Sequence, residues 1–226
     1  LEFRRAFIVM DYIAGQPLDE FLRTRRDTLI YRRSLTLFAT ICDAVHAAHV
    51  RGITHRDLKP TNVFITKVGG EQKVKLLDFG VAHRVDRERF TAPEVTGGSL
   101  GFMGPEQLTG NVVPQRDLYA VGCVAWLLLV GQPVFPYRAM GELARNHMLT
   151  VPPLIRTARA DVPPPLERWI ARLLEKEYAR RPANAFEALL GAQFGEGDLV
   201  GHVLDLPGGA GHQLVPLQAD QLAAQV

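Results

Sequence analysis

Positions on one face recur at helical spacing through Leu35, Phe38, Ile41, Cys42, Val45 and His49, and they predict a helix over 31–51 that Gly52 stops. Similar periods predict helices at 115–130, 139–149, 166–176 and 184–190, with proline-rich breaks at Pro152-Pro153 and Pro163-Pro164-Pro165. Strand patterns are shorter. Ala6–Met10 is a run of strand formers, after which Gly15 and Pro17 break the chain and a helix begins with Pro17 near its first turn. Val63-Phe64-Ile65 and Val74–Leu77 read as two strands joined through Gly69-Gly70. Residues 81–101 are polar and aperiodic, which predicts a mobile loop. From Gly191 the composition shifts to Gly, Leu, Ala and Gln, so 191–226 reads as a tail with no motif, although Leu199–Leu206 has apolar residues enough for a strand. No internal repeat is visible.

Composition changes this picture little. The chain has 226 residues, 47% hydrophobic and 22% charged, which suits one domain with a sizeable core. A net charge of +2 gives no bulk electrostatic case for nucleic acid or an acidic membrane surface. Arginines cluster at Arg23, Arg25 and Arg26 and at Arg32 and Arg33, and read as solvated helix faces. Cys42 and Cys123 lie far apart in apolar helical stretches with no CxxC partner, so both read as buried, reduced thiols of a cytoplasmic protein. The longest apolar stretch, Tyr119 to Val130, is too short to span a bilayer and predicts a core helix. The first residues lack the length of a signal peptide.

Candidate chemistry is concentrated in one block, Ile53-Thr54-His55-Arg56-Asp57-Leu58-Lys59-Pro60-Thr61-Asn62, followed by Asp78-Phe79-Gly80. An aspartate can take a proton from an acceptor hydroxyl. A lysine two positions on can steady a phosphoryl group, and an asparagine with a second aspartate can supply hard oxygens to magnesium. Either triplet alone occurs by chance. The whole block, with Asp78 placed 21 residues after Asp57, does not.

On these residues the chain, from about 6 to about 190, resembles the large C-terminal lobe of bacterial, eukaryotic-like Ser/Thr protein kinases. The resemblance implies an α+β, kinase-like fold: a predominantly helical lobe with short β-hairpins. Residues 1–14 would be the last small-lobe strand and hinge, 15–190 the lobe, and 191–226 the tail. It also implies Mg²⁺ and ATP as cofactors and protein Ser/Thr hydroxyls as acceptors, the Lys59-Pro60 pair pointing away from tyrosine. Asp57 would be the base and Lys59 the phosphoryl-neutralising cation. Asn62 and Asp78 would hold the metal. Met10 would be the gatekeeper, with the Asp11 carbonyl and Ile13 amide reading the adenine edge and Phe64 lying beneath the ring. His55 and Phe79, with Gly80, would align loops rather than do chemistry.

The stretch Gly98-Ser99-Leu100-Gly101-Phe102-Met103-Gly104-Pro105-Glu106-Gln107 resembles the end of the family's activation segment, with serine, phenylalanine and glycine where threonine, tyrosine and alanine are usual. Gly104 would loosen the following helix. Glu106 would pair with Arg181 in a buried bridge, and Asp117 would anchor the catalytic loop. Arg56 would meet a phosphate on the activation loop, with Thr91, Thr96 and Ser99 as candidate acceptors. No Gly-rich loop or strand lysine lies before residue 6, so the chain is expected to be truncated and weakly active alone, with regulatory domains conceivable in a longer parent. Two rivals remain: a non-catalytic kinase-like scaffold or docking module, and a small-molecule phosphotransferase of the same fold. The first differs in activity alone. The Gly-Pro-Glu-Gln segment argues against the second.

Overall fold

A computed structural model describes residues 11–25, 31–79, 97–110 and 113–188. Expectations that fall on Met10, Gly80, Thr91, Thr96, the strand over 6–10 and the 191–226 tail lie outside those residues. The chain order is β1 (Gly15–Pro17), α1 (Leu18–Arg25), α2 (Tyr31–Val50), β2 (Val63–Val68), β3 (Glu71–Leu76), α3 (Gly97–Leu100), α4 (Pro105–Leu108), α5 (Gln115–Val130), α6 (Met140–Leu149), α7 (Ile155–Ala158) and α8 (Pro164–Leu173). A further helical run begins at 185.

α5 is the spine of the core. It is buried on nearly every face, which is what an apolar helix without a polar stripe requires. The α2 stripe of Leu35, Phe38, Ile41, Cys42 and Val45 packs inward, and the buried Ser34 hydroxyl donates to the Leu128 carbonyl at 3.0 Å. Phe38 meets Trp169 of α8 edge-on, with ring centroids 5.5 Å apart. Both cysteines are buried and unpaired, and burial pushes the Cys123 thiol up to about 12. Arg33 is not simply solvated, because its guanidinium lies 5.8 Å from the Phe21 ring centroid.

The sheet is antiparallel in the order β1-β2-β3. Gly69 and Gly70 both have positive φ, at 60° and 86°, so a two-residue turn closes the β2–β3 hairpin with no side-chain penalty. β1 departs from the sequence expectation. Gly15 and Pro17 do not merely break the chain but form an edge strand, with Gly15 opposite Thr66 and Pro17 opposite Phe64. A proline is tolerated there because an edge strand leaves one set of backbone donors unused. The helix accordingly starts at Leu18. Within the expected loop, residues 97–100 form a helical turn instead, and Phe102 N donates to the Ser99 carbonyl at 3.1 Å.

α5 and α8 approach closely at Gly122. A Cβ on Gly122 would stand 2.9 Å from Leu173 Cβ and 3.0 Å from Leu174 Cδ2. Gly122→Ala gains about 1 kcal/mol of helix propensity but incurs about 1–3 kcal/mol of overpacking. Gly141 in α6 has nothing within 4 Å of that position, so there the propensity gain stands alone. Thermal unfolding should therefore show a lower melting temperature for Gly122→Ala and a raised one for Gly141→Ala. A rise for both would contradict the close approach.

Candidate active site

The loop joining α2 to β2 hangs on one buried carboxylate. Asp117, in the first turn of α5, accepts from the His55 amide at 2.7 Å and the Arg56 amide at 2.9 Å. His49 Nε2 lies 2.9 Å from the same carboxylate. Three partners and the positive end of a helix compensate its burial. Arg56 has φ of 71°, a left-handed conformation that costs a non-glycine residue about 1–3 kcal/mol. Its carbonyl accepts from Gln107 Nε2 at 3.0 Å and Arg116 Nη2 at 3.4 Å, while Arg116 Nε donates to Gln107 Oε1 at 3.3 Å. The strained turn is thus held from both sides, which fixes the residue that follows it, Asp57. Burial pulls the Arg116 pKa down, and the neighbouring Asp117 charge partly restores it.

Asp57 Oδ2 lies 2.7 Å from Lys59 Nζ, and Lys59 also donates to Ser99 Oγ at 2.7 Å. Asn62 Nδ2 donates to the Asp57 carbonyl at 2.8 Å and to Asp57 Oδ2 at 3.2 Å. Both amide hydrogens of Asn62 are engaged, which leaves its Oδ1 as the available donor atom. The hairpin register pairs Val63 with Leu76, and Leu77 N donates to the Asn62 carbonyl at 2.9 Å. One residue further, Asp78 leaves the sheet with φ of 56° and an exposed side chain that makes no hydrogen bond or ion pair among the described residues. Two hard oxygens, one amide and one carboxylate, therefore stand at the same end of the hairpin. Magnesium takes few protein oxygens and completes its shell with phosphate and water, so this pair fits it. No cluster of three or more His, Cys, Asp or Glu suited to a metal exists among the described residues.

The His55 ring packs on Phe79 with centroids 4.6 Å apart. Burial drives its pKa down, so at neutral pH it is an uncharged packing element. Phe64 sits half-buried on the face of β2 opposite Val63 and Ile65. The Asp11–Ala14 segment is tied to that sheet where Thr66 Oγ1 donates to the Ala14 carbonyl at 2.6 Å.

Glu106 and Arg181 form a buried bidentate pair, with Arg181 Nη1 at 2.7 Å from Oε1 and Nη2 at 2.8 Å from Oε2. Gly104 has φ of −70°, so its backbone does not need glycine. What it leaves is room: a Cβ there would lie 2.5 Å from Glu106 Oε1. Sequence reasoning missed the roles of His49, Gln107 and Arg116. All three lie inside stretches that it had read, but as an apolar helix position and as motif neighbours.

Beside Lys59 opens a cleft of about 450 Å³, lined by Ser99, Phe102, Phe135, Tyr137 and Leu143 and by Asp19. It is mainly apolar, and its Lys59 is the residue that pairs with Asp57.

The arrangement has known counterparts. The protein kinase domain model matches residues 2–194. Serine/threonine-protein kinase Pkn1 of Myxococcus xanthus is 36% identical over 183 residues, covering 80% of this chain and 26% of that protein. PknB of Mycolicibacterium smegmatis is 32% identical, covering 80% of this chain and 29% of its own length. The chain thus spans about a quarter to a third of these relatives. Among solved structures, the Mycobacterium tuberculosis PknI kinase domain superposes with a TM-score of 0.62 at 24% identity, over 82% of this chain and 64% of that one. With a family model covering all but its last residues, and a helical lobe of matching fold, the chain belongs to the protein kinase domain family.

Proposed function

We propose that the chain is the large lobe of a Ser/Thr protein kinase that moves the γ-phosphoryl group of ATP to a hydroxyl of a protein. The observation that carries this is the shared oxygen: Asp57 Oδ2 is held by both Lys59 and Asn62, and Lys59 also lines a cleft of about 450 Å³. The acceptor oxygen bonds to phosphorus as the bond to the departing ADP oxygen breaks, and the hydroxyl proton goes to Asp57. The transition state is loose, so Asp57 mainly orients the nucleophile and takes the proton late. Lys59 offsets charge on the transferred group. Asn62 Oδ1 and Asp78 would hold Mg²⁺, which when bound neutralises phosphate charge. The Asp11 carbonyl and Ile13 amide would read the adenine, with Phe64 beneath it. An intact, strained and doubly supported catalytic loop favours this over a docking module, which has no use for it.

The setting we propose is cytoplasmic, with free buried thiols and no helix among the described residues long and apolar enough to cross a membrane. Protein substrates rather than nucleic acid are the proposed partners, and regulatory domains of a longer parent would add others. The experiment is radiolabel transfer from ATP to a Ser/Thr peptide. The 226 residues alone lack a Gly-rich loop and strand lysine, so they should fall far below the roughly 1–100 s⁻¹ of kinases. Placed behind a complete small lobe, the same residues should reach that range. No transfer in either form would sink the enzymatic reading.

A further inference from the structure

We infer that Lys176 is a positioning residue that sets the α6 wall of the acceptor groove. This rests on the reading of that groove as the peptide site. α6 has ten residues and buries only Leu143 and His147. A helix this short is marginal without tertiary anchors. Leu143 lines the groove, so where it stands depends on what grips the far end of α6.

That grip is Lys176. Its ammonium donates to the carbonyls of Asn146 at 3.2 Å and His147 at 2.8 Å, and to Tyr119 Oη at 3.1 Å. All three of its hydrogens are engaged. The two carbonyls belong to the last turn of α6, where a positive charge complements the helix dipole, and the Asn146 carbonyl also accepts from Thr150 N at 3.1 Å. The same ammonium lies 5.0 Å from the centroid of Phe135, which is the second apolar wall of the groove, and 5.4 Å from that of Tyr119. The His147 ring closes the arrangement. Its Nδ1 is 3.0 Å from Tyr119 Oη, and its edge meets Phe135 with centroids 5.1 Å apart. Lys176 therefore braces both apolar walls from behind. Holding a charge there is costly, since burial lowers the Lys176 pKa to about 8. An apolar residue would avoid that cost but leave the helix-end carbonyls without their cation.

The brace also connects to the end of the activation segment. Arg181 Nη2 donates to the Lys176 carbonyl at 3.3 Å while the same guanidinium grips Glu106. The α6 wall and the Glu106 turn are thus tied through one guanidinium.

The test has two arms. In a kinase carrying this chain behind a complete small lobe, Lys176→Met keeps the aliphatic stem and removes the donors. The KM for an acceptor peptide should rise about tenfold while kcat and the KM for ATP stay within about twofold, the pattern of lost peptide binding. Tyr119→Phe, which keeps the ring and deletes the hydroxyl between Lys176 and His147, should raise the peptide KM about threefold in the same pattern. A general loss of structure would lower kcat and ATP binding as well. In the second arm, hydrogen exchange is followed on the 226-residue chain without substrate. Amides of 146–150 should exchange faster in Lys176→Met, and those of α5 should not. An unchanged peptide KM with unchanged α6 exchange, or an equal fall of kcat for every substrate, overturns the inference. If the parent kinase phosphorylates no peptide, the proposed function fails, and the exchange arm still decides the anchoring.

Discussion

Asp57→Asn, in a protein that carries this chain behind a complete small lobe, should lower phosphoryl transfer by about 10²–10⁴-fold, the contribution of one positioned acid–base group. Asparagine is nearly isosteric, so the loop should keep its shape. What changes is the chemistry at Oδ2. That oxygen now accepts from Lys59 at 2.7 Å and Asn62 at 3.2 Å, and it belongs to the carboxylate proposed to receive the acceptor's proton. The amide that replaces it carries no charge to hold Lys59 and no basic oxygen to take a proton. The turn itself is set by Asp117, Gln107 and Arg116 through the backbone of residues 55 and 56, none of which the substitution touches. Melting should therefore move little while turnover collapses. Wild-type turnover by a variant that melts like the parent would remove Asp57 from the role of base.

The same separation between backbone support and side-chain chemistry explains what could be read in advance. His55 to Asn62 carry chemistry in consecutive residues, and local spacing is visible in a sequence. The α2 and α5 periods and the Gly69-Gly70 turn are local too, and the structure shows those elements close to the expected bounds. β1 was hidden because Gly15 and Pro17 are poor strand formers, and only pairing with β2 makes them a strand. α7 is four residues long and has too few positions to show a period. His49 sits on the apolar face of α2 and looked like one more core position, yet its nitrogen faces Asp117 across 68 residues of chain. Lys176 looked like the polar end of a helix. Its partners come from α5 and from the end of α6, and no local pattern marks such a meeting.

Arg181→Ala should destabilise the lobe by about 3–5 kcal/mol, against about 0–1 kcal/mol for Arg180→Ala next to it. The two arginines differ in everything but type. Arg180 is exposed and pairs with Glu177 one turn away at 2.9 Å, with both side chains about two-thirds accessible. Water screens that pair, and removing it leaves nothing buried. The Arg181 side chain is fully buried. Beyond Glu106, it donates to the carbonyls of Glu175 at 2.8 Å, Gln115 at 2.9 Å and Lys176 at 3.3 Å, and it lies 4.9 Å from the Tyr119 ring centroid. Truncation leaves the Glu106 carboxylate buried without a counter-charge and takes one donor from each of three carbonyls. Cost follows from that uncompensated charge more than from the attraction lost. For a chain of this size, each kcal/mol moves the melting temperature by about 2–4 °C. The first variant should melt roughly 6–20 °C lower and the second within about 4 °C of the parent. A companion variant, Arg181→Met with Glu106→Leu, removes both charges and should recover much of the loss, because an apolar pair of similar volume can replace a buried ion pair at little cost. Equal melting of the two single variants would mean that Glu106 reaches water when Arg181 is gone, and that the bridge does not hold the activation segment to the lobe.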